Sequence, residues 1–195
     1  AWRTQTMYHL SKVPDEAVRR RVAGETLDIF APLANRLGVW QIKWELEDLA
    51  FRHLEPDTYK KIAKLLDERR LDRLSYIEQV LATLRNELAG AGLHADVAGR
   101  PKHIYSIWNK MRKKGVEFSE VYDVRALRVI VDEIKDCYTA LGLIHSLWQP
   151  VPGEFDDYIN QPKANDYKSL HTAVIGPEDK VVEVQIRTFE MHEHA

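Results

Sequence analysis

Apolar residues in the first half of the chain recur every three or four positions, which is the pattern of amphipathic helices. A first helix is predicted after the helix-start signal Pro14-Asp15-Glu16, and a second from about Val39 to Phe51. A third helical stretch opens at Pro56 and continues to about Leu88. The charged run at 67–70 inside it is interpreted as a solvated helix face or a kink. The glycines at 90 and 92 then end the helical pattern.

Short β-type runs alternate with helical segments after residue 92. The predicted strands are 94–100, 125–131, 169–175 and 180–187, and the predicted helices are 104–114 and 135–147. A loop rich in proline, glycine and aspartate covers 149–166, and a turn at 176–179 joins the last two strands. This order predicts an α+β chain, with a helical part over 1–89 followed by a mixed β-sheet flanked by helices over 90–195.

Composition narrows the class of protein. Of the 195 residues, 45% are hydrophobic and 30% charged, which excludes the disordered, collagenous and membrane classes. The 28 basic and 30 acidic residues give a net charge of −2, so bulk charge does not indicate a nucleic-acid binder. A single cysteine, Cys137, excludes an internal disulfide and disfavours a cysteine metal cage. With no signal peptide and no apolar run long enough to span a bilayer, a cytoplasmic protein without a membrane partner is expected.

One segment is strongly basic. Between Arg100 and Lys114 there are six lysines and arginines and no acidic residue. If a helix begins near His103, Ser106 and Lys110 share its face, and a helix N-terminus with such side chains can hold phosphate oxygens. The alternative is a basic helix that only faces solvent.

Carboxylates accompany this segment. Asp123 precedes a predicted strand, and Glu183, Gln185 and Arg187 share one face of another strand, because side chains alternate along a strand. If these strands are adjacent, Asp123 and Glu183 could bind Mg²⁺ beside substrate phosphates. The alternative is a plain amphipathic edge strand.

A third cluster combines an aromatic ring with cations. Tyr167 lies between Lys163, Lys168 and His171 at the start of a predicted strand. Tyrosine faces stack on nucleobases and neighbouring cations bind phosphates. Because no glycine-rich phosphate loop of either common type is present, a P-loop or Rossmann site is not expected.

Five collinear motifs resemble the synthetase domain of the long RelA/SpoT-homologue proteins. They are GRPKHIYSIW at 99–108, YDVRALR at 122–128, EFDDY at 154–158, PKANDYKSLH at 162–171 and VEVQIRT at 182–188. The resemblance implies an alarmone synthetase with a fold similar to that of nucleotidyltransferases. Such enzymes move pyrophosphate from ATP to the 3′-hydroxyl of GDP or GTP and release AMP, in the stringent response. The helical part resembles the segment before that domain.

The resemblance also implies a role for individual residues. Arg100 and Arg128 would hold the adenine of ATP between them. The ATP phosphates would be bound by Lys102, His103, Ser106, Lys110 and Lys113. Asp123 would bind Mg²⁺ with Glu183, which would also act as the base on the 3′-hydroxyl. The acceptor nucleotide would be bound by Tyr167, stacked on guanine, and by Lys163, Asn165, His171, Gln185 and Arg187.

The chain departs from the family pattern at several positions. Asp166 stands where the family usually has glycine, which adds an anion near the acceptor phosphates. The loop motif with Glu154, Asp156 and Asp157 has the acidic form, which in the family marks synthetase-only enzymes and is associated with a preference for GDP. Residues 1–10 resemble the tail of the family's hydrolase domain, but Trp2 and Thr6 replace its functional Asp and Asn.

Three further expectations accompany the resemblance. Hydrolase activity is expected to be absent. The synthetase domain is expected to be truncated at its C-terminus in this chain, and the ribosome and uncharged tRNA would be partners of a longer protein through regions outside it. The competing interpretation is a catalytically silent fragment that binds nucleotide or RNA or has a regulatory role.

Overall fold

The computed structural model describes residues 1–100, 103–122 and 125–195 and divides the chain into two compact units. The first contains residues 1–69 and 102–118, and the second contains 70–101 and 119–195. The predicted site residues Lys102 and Asp123 lie outside the described residues. The two units do not follow the predicted division at residue 90. The long helix before that residue belongs with the sheet, and the basic helix after it belongs with the N-terminal helices.

The first unit is helical. Its helices are α1 (Trp2–His9), α2 (Glu16–Glu25), α3 (Ala31–Arg36), α4 (Trp40–Leu54), α5 (Pro56–Glu68) and α7 (Ile104–Lys114). A 3₁₀ turn at Leu10–Lys12 follows α1, and a π-helical turn at Thr26–Phe30 joins α2 to α3. Its core includes Met7, Ala31, Leu46 and Ala50.

The second unit is a mixed sheet with helices. Its elements are α6 (Arg70–Gly90), β1 (Ala95–Gly99), α8 (Phe118–Tyr122, whose first residue belongs to the first unit), β2 (Arg125–Val131), α9 (Ile134–Leu147), β3 (Gln149–Pro150), β4 (Asp156–Asp157), β5 (Leu170–Ile175), β6 (Val181–Thr188) and α10 (Phe189–Glu193), with a 3₁₀ turn at Pro177–Asp179. The strand order is β1-β2-β6-β5-β3, and β4 also pairs with β5. The pairing of β2 with β6 is parallel and the other pairings are antiparallel, which confirms the mixed sheet.

One face of this sheet is apolar and buried. Leu127, Val129, Val184 and Ile186 are at most 1% exposed, and they pack with buried residues of α6 and α9 in one core. Since side chains alternate along a strand, this packing turns the intervening residues of β2, β5 and β6 to the opposite face. The fold of the second unit therefore determines where its polar residues lie.

Most predicted elements are confirmed, with one revision in the helical part. The helix expected from Pro56 to about Leu88 is two helices, α5 and α6, which are separated at Arg69. The charged run at 67–70 therefore contains a break between two helices, which agrees with the kink that was one of its two interpretations. In the described ranges no helix combines the length and the hydropathy needed to cross a membrane.

Candidate active site

The polar face of the sheet in the second unit gathers several of the predicted site residues. Strand pairing forms a row across β1, β2, β6, β5 and β4 that contains Ala98, Arg128, Gln185, His171 and Asp156. Paired strands lie about 4.8 Å apart, so these residues are neighbours although they are distant in sequence. The structure thus confirms that β6 lies beside β2 and is not an edge strand.

Glu183 lies in the adjacent row between two alanines. Its partner on β2 is Ala126 and its partner on β5 is Ala173. Both of these neighbours have small side chains, and Glu183 itself is half-buried. Arg187, two residues along β6 from Gln185, is on the same face.

The cations of this face form an electropositive region. Burial lowers the pKa of Arg187, and the charges of Arg128 and Arg100 act in the same direction. The Nε atoms of Arg128 and Arg187 are buried and have no hydrogen-bond partner among the described residues. A buried polar atom without a partner costs free energy, so these guanidinium groups suit a site where an acceptor is supplied by a ligand.

Tyr167 and His171 are joined directly. The Tyr167 hydroxyl lies 2.9 Å from Nε2 of His171, and the two rings meet edge to face at 5.7 Å. Burial, with the charges of Lys163 and Arg100, lowers the pKa of His171 to about 4. His171 is therefore neutral at pH 7, and it orients the tyrosine ring without adding charge.

The loop before β5 forms a tight turn that presents Tyr167. The N–H of Asp166 donates to the Lys163 carbonyl at 2.9 Å, and the N–H of Lys163 donates to the Tyr167 carbonyl at 3.2 Å. Asp166 has a φ of 60°, a left-handed conformation that glycine favours and that aspartate adopts more readily than most other residues. Asn165 accepts a hydrogen bond from the Tyr167 N–H at 3.3 Å, and both line a cavity of about 910 Å³.

The acidic loop has a structural component. Asp157 accepts hydrogen bonds from the Tyr138 hydroxyl, from the N–H groups of Ile159 and Asn160, and from the Asn160 amide, at 2.8 to 3.0 Å. Burial alone would raise its pKa, but these hydrogen bonds outweigh burial and lower it. Asp157 therefore stabilises the conformation of the loop. Asp156 lies opposite His171 in the pairing of β4 with β5, and Glu154 is exposed.

One of the two predicted magnesium ligands lies on the polar face of the sheet. Mg²⁺ is bound in proteins by one or two carboxylates together with substrate phosphates and water, and Glu183 would supply one such carboxylate. The other predicted ligand, Asp123, is outside the described residues. Within the described ranges no group of three or more His, Cys, Asp or Glu side chains is arranged for a metal.

The predicted phosphate-binding residues on the basic helix belong to the first unit. Ser106, Lys110 and Lys113 line a groove of about 270 Å³ on α7, together with Lys43 and Glu47 of α4. They therefore share a face, as the helical spacing predicts.

The start of α7 differs from the prediction. Its first N–H groups, which would be available to phosphate at a free helix N-terminus, donate to the carboxylate of Asp48, at 2.8 Å in the case of Tyr105. Two N–H groups at the start of α7 are thus bound by a carboxylate of the protein and are not available to phosphate. The side chains of α7 remain the groups that can bind phosphate.

Sequence reasoning gave no functional role to Asp48, Trp44 or Tyr158. Trp44 stacks on the His103 ring, with 4.7 Å between the ring centroids. Tyr158 contacts Tyr167 edge to face at 6.3 Å, and the Lys163 ammonium lies 4.5 Å from the Tyr158 ring. In the sequence, the only indication that Tyr158 contacts Tyr167 was its position next to the acidic motif.

Comparison with protein families gives two matches. The model described as a region found in RelA/SpoT proteins matches residues 99–195, and a model described as an HD domain matches residues 1–40. The HD-domain match thus precedes the RelA/SpoT match along the chain.

Named relatives cover nearly the whole chain. GTP pyrophosphokinase of Escherichia coli (strain K12) is 56% identical over 189 residues, which is 96% of this chain and 25% of that protein. Guanosine-3′,5′-bis(diphosphate) 3′-pyrophosphohydrolase of Aquifex aeolicus (strain VF5) is 50% identical over 181 residues, 92% of this chain and 26% of that protein. The chain spans about a quarter of the length of these relatives.

A solved structure supports the fold. Small alarmone synthetase 1 from Bacillus subtilis, bound to its product pppGpp, gives a TM-score of 0.54 at 21% identity over 67% of this chain and 75% of that one. This likeness confirms the α+β, nucleotidyltransferase-like fold. Together with relatives more than half identical across almost all of its residues, it identifies the chain as a member of the RelA/SpoT family.

Proposed function

We propose that this chain carries the synthetase part of a longer protein that transfers pyrophosphate from ATP to the 3′-hydroxyl of GDP or GTP and releases AMP. The observation that carries the proposal is the polar sheet face, on which Glu183 stands among Arg128, Gln185, Arg187 and His171. A carboxylate can accept a proton there while cations offset phosphate charge. The relatives named GTP pyrophosphokinase support the same reaction.

Glu183 acts as the general base. A hydroxyl is a poor nucleophile until it loses its proton, so the carboxylate takes that proton as the 3′-oxygen attacks the β-phosphorus of ATP. A bond forms between this oxygen and the β-phosphorus, and the bond from the β-phosphorus to the oxygen of AMP breaks. AMP leaves with the electron pair of that bond.

The donor nucleotide is bound through its base and its phosphates. Arg100 and Arg128 hold the adenine ring, since guanidinium planes stack on aromatic rings. The phosphates are bound by Lys102, His103, Ser106, Lys110 and Lys113. Mg²⁺ held by Glu183 and Asp123 would offset the charge that develops on the transferred phosphates.

The acceptor nucleotide is bound by the loop and the neighbouring strands. Tyr167 stacks on guanine with its ring already held by His171 and Tyr158. The remaining contacts come from Lys163, Asn165, His171, Gln185 and Arg187. In this proposal the acidic form of the 154–157 loop goes with a preference for GDP.

Labelled ATP tests the reaction. Incubation of the protein with GDP, Mg²⁺ and ATP labelled at the γ-phosphate is expected to give a labelled guanosine tetraphosphate, and label at the α-phosphate is expected to appear in AMP. ADP and labelled GTP would show phosphoryl rather than pyrophosphoryl transfer and would contradict the proposal. Nucleotide binding without any product would favour the silent binding fragment.

Variants of two glutamates identify the base. Glu183→Gln is expected to reduce turnover by about 10²- to 10⁴-fold, which is the usual contribution of a general base. The matched control is Glu87→Gln, an exposed position on α6 of the same unit, which is expected to keep full activity. Turnover of Glu183→Gln close to that of the control would exclude the assigned role.

A further inference from the structure

In the first unit, a carboxylate from one helix caps the start of another. Asp48 on α4 accepts hydrogen bonds from the N–H groups of Ile104 and Tyr105, the first two residues of α7. The first N–H groups of a helix have no partner within the helix, and His103, at the N-cap position, supplies no side-chain hydrogen bond to them. Asp48 therefore caps the N-terminus of α7, although it lies 55 residues before the N-cap position, His103.

The same helix holds the His103 side chain on two sides. Oδ2 of Asp48 lies 3.8 Å from Nδ1 of His103. Trp44, one turn earlier on α4, stacks on the imidazole with 4.7 Å between ring centroids and 19° between the ring planes. Only 28% of the His103 side chain is exposed, so its ring has a defined orientation.

Burying the charged Asp48 carboxylate at this position is energetically unfavourable. Burial raises the pKa of Asp48, although the hydrogen bond from the Tyr105 N–H and the contact with His103 act against it. A serine or threonine at position 103 would cap α7 locally without burying a charge. The arrangement of Asp48 and Trp44 is better explained by a requirement to orient His103 and α7 together.

The helix positioned in this way carries the groups assigned to the ATP phosphates. Ser106, Lys110 and Lys113 line the groove on α7, and Lys43 and Glu47, joined by a 3.5 Å ion pair, contribute its α4 side. Apart from its first residue, Trp40, helix α4 lies outside both regions that the family models match, 1–40 and 99–195. Neither family match therefore assigns it a part in nucleotide binding.

We propose that Asp48, with Trp44, is a positioning residue for ATP: it fixes the start of α7 and the His103 ring so that the phosphate-binding side chains of α7 act together. This inference rests on the proposed function. It gives the segment between the two family matches an indirect part in ATP binding, through helix α7 of the same unit.

The test compares the two nucleotide substrates in variants of the full-length protein. Asp48→Ala removes both the cap and the charge and is expected to raise the KM for ATP about 2- to 30-fold, the range for loss of a helix cap. Asp48→Asn retains an oxygen that can accept from the Tyr105 N–H and is expected to give a smaller rise. The KM for GDP and the kcat at saturating ATP are expected to change less than about threefold.

A second variant and a binding measurement keep the test independent of folding. Trp44→Leu keeps the Asp48 cap but removes the ring that stacks on His103. It is also expected to weaken ATP binding. Asp67→Asn, at an exposed position near the end of α5, is the matched control and is expected to behave as the unchanged protein. Calorimetric titration with a non-hydrolysable ATP analogue measures affinity without turnover, and a thermal unfolding curve of each variant records its folded fraction.

The outcomes separate positioning from structural support. A structural role alone would lower the unfolding midpoint and the active fraction, hence kcat, and would leave the KM for ATP unchanged; that result overturns the proposal. An equal rise in the KM for ATP and in the KM for GDP overturns the proposal as well. If the unchanged protein binds the ATP analogue and the Asp48 variants bind it equally well, this inference alone fails. If the unchanged protein neither binds ATP nor makes product, the proposed function fails too.

Discussion

Replacing Tyr167 gives the most direct test of the acceptor site. Its ring is held before any nucleotide arrives, by the hydroxyl contact to His171 at 2.9 Å, by the edge of Tyr158 at 6.3 Å and by the Lys163 ammonium at 5.3 Å. A ring held in this way loses little conformational freedom on binding, so most of the stacking free energy is available to the nucleotide. Tyr167→Ala is expected to weaken GDP binding by about 1–3 kcal/mol, or about 5- to 150-fold in Kd.

A conservative variant separates stacking from the hydroxyl contact. Tyr167→Phe keeps the ring and loses only the hydrogen bond to His171, which is worth about 0.5–1.5 kcal/mol, so its Kd for GDP is expected to rise less than about tenfold. Calorimetric titrations with GDP and with a non-hydrolysable ATP analogue measure both variants, and Tyr8→Ala, an exposed tyrosine of the first unit, is the control. A loss of ATP affinity with GDP affinity intact would refute the assignment of the two nucleotides. A Phe variant as weak as the Ala variant would refute stacking as the source of affinity.

Three further predictions follow from the second unit and from the start of the chain. Asp157→Asn is expected to lower the free energy of unfolding by about 1–2 kcal/mol in urea titrations, because an amide cannot accept all the hydrogen bonds that this carboxylate accepts; unchanged stability would contradict a structural role. The pKa of His171, lowered by burial to about 4, lies below the value of about 6.5 in an unfolded chain, so the unfolded state binds the extra proton and stability is lost as pH falls from about 6.5 to 4. His171→Gln is expected to reduce that loss relative to the unchanged protein when unfolding is measured at pH 7 and pH 5, and an identical loss in both would contradict the buried neutral histidine. Full-length protein incubated with guanosine tetraphosphate and Mn²⁺ is expected to release no pyrophosphate, because an indole at Trp2 cannot act as a metal ligand and Thr6 is a poor substitute for an amide; robust release would show an active hydrolase, the activity for which some relatives are named.

Local patterns were sufficient to predict most of the fold. The helix 104–114 and the strand 125–131 agree with the structure at both ends. The helix has clear limits because it ends at Gly115, which adopts a φ of 63°. Elements of two to five residues, such as β3, β4 and α10, were missed because they are too short to show a period.

For the candidate site, the sequence predicted which side chains share a face of one strand or helix, but not which residues of other elements lie beside them. Period-two alternation correctly placed Glu183, Gln185 and Arg187 on one strand face. The neighbours that give this face its chemistry depend on register: Ala126 and Ala173 flank Glu183 because of strand pairing, which no local spacing reveals. The contact between Tyr158 and Tyr167 likewise follows from the pairing of β4 with β5.

The position of α7 shows why the motif region alone is an incomplete description of the donor site. Ile107 is 2% exposed, and Trp108 packs on Phe51 of α4 with 4.7 Å between ring centroids. Helix α7 therefore buries its apolar side in the first unit, among helices that precede the family's synthetase region. A chain cut at residue 90 would expose these side chains and remove the cap supplied by Asp48. The polar side of α7 can remain in place only while its apolar side is buried, so under the proposed function we expect the side chains assigned to phosphate to need the helices before residue 70.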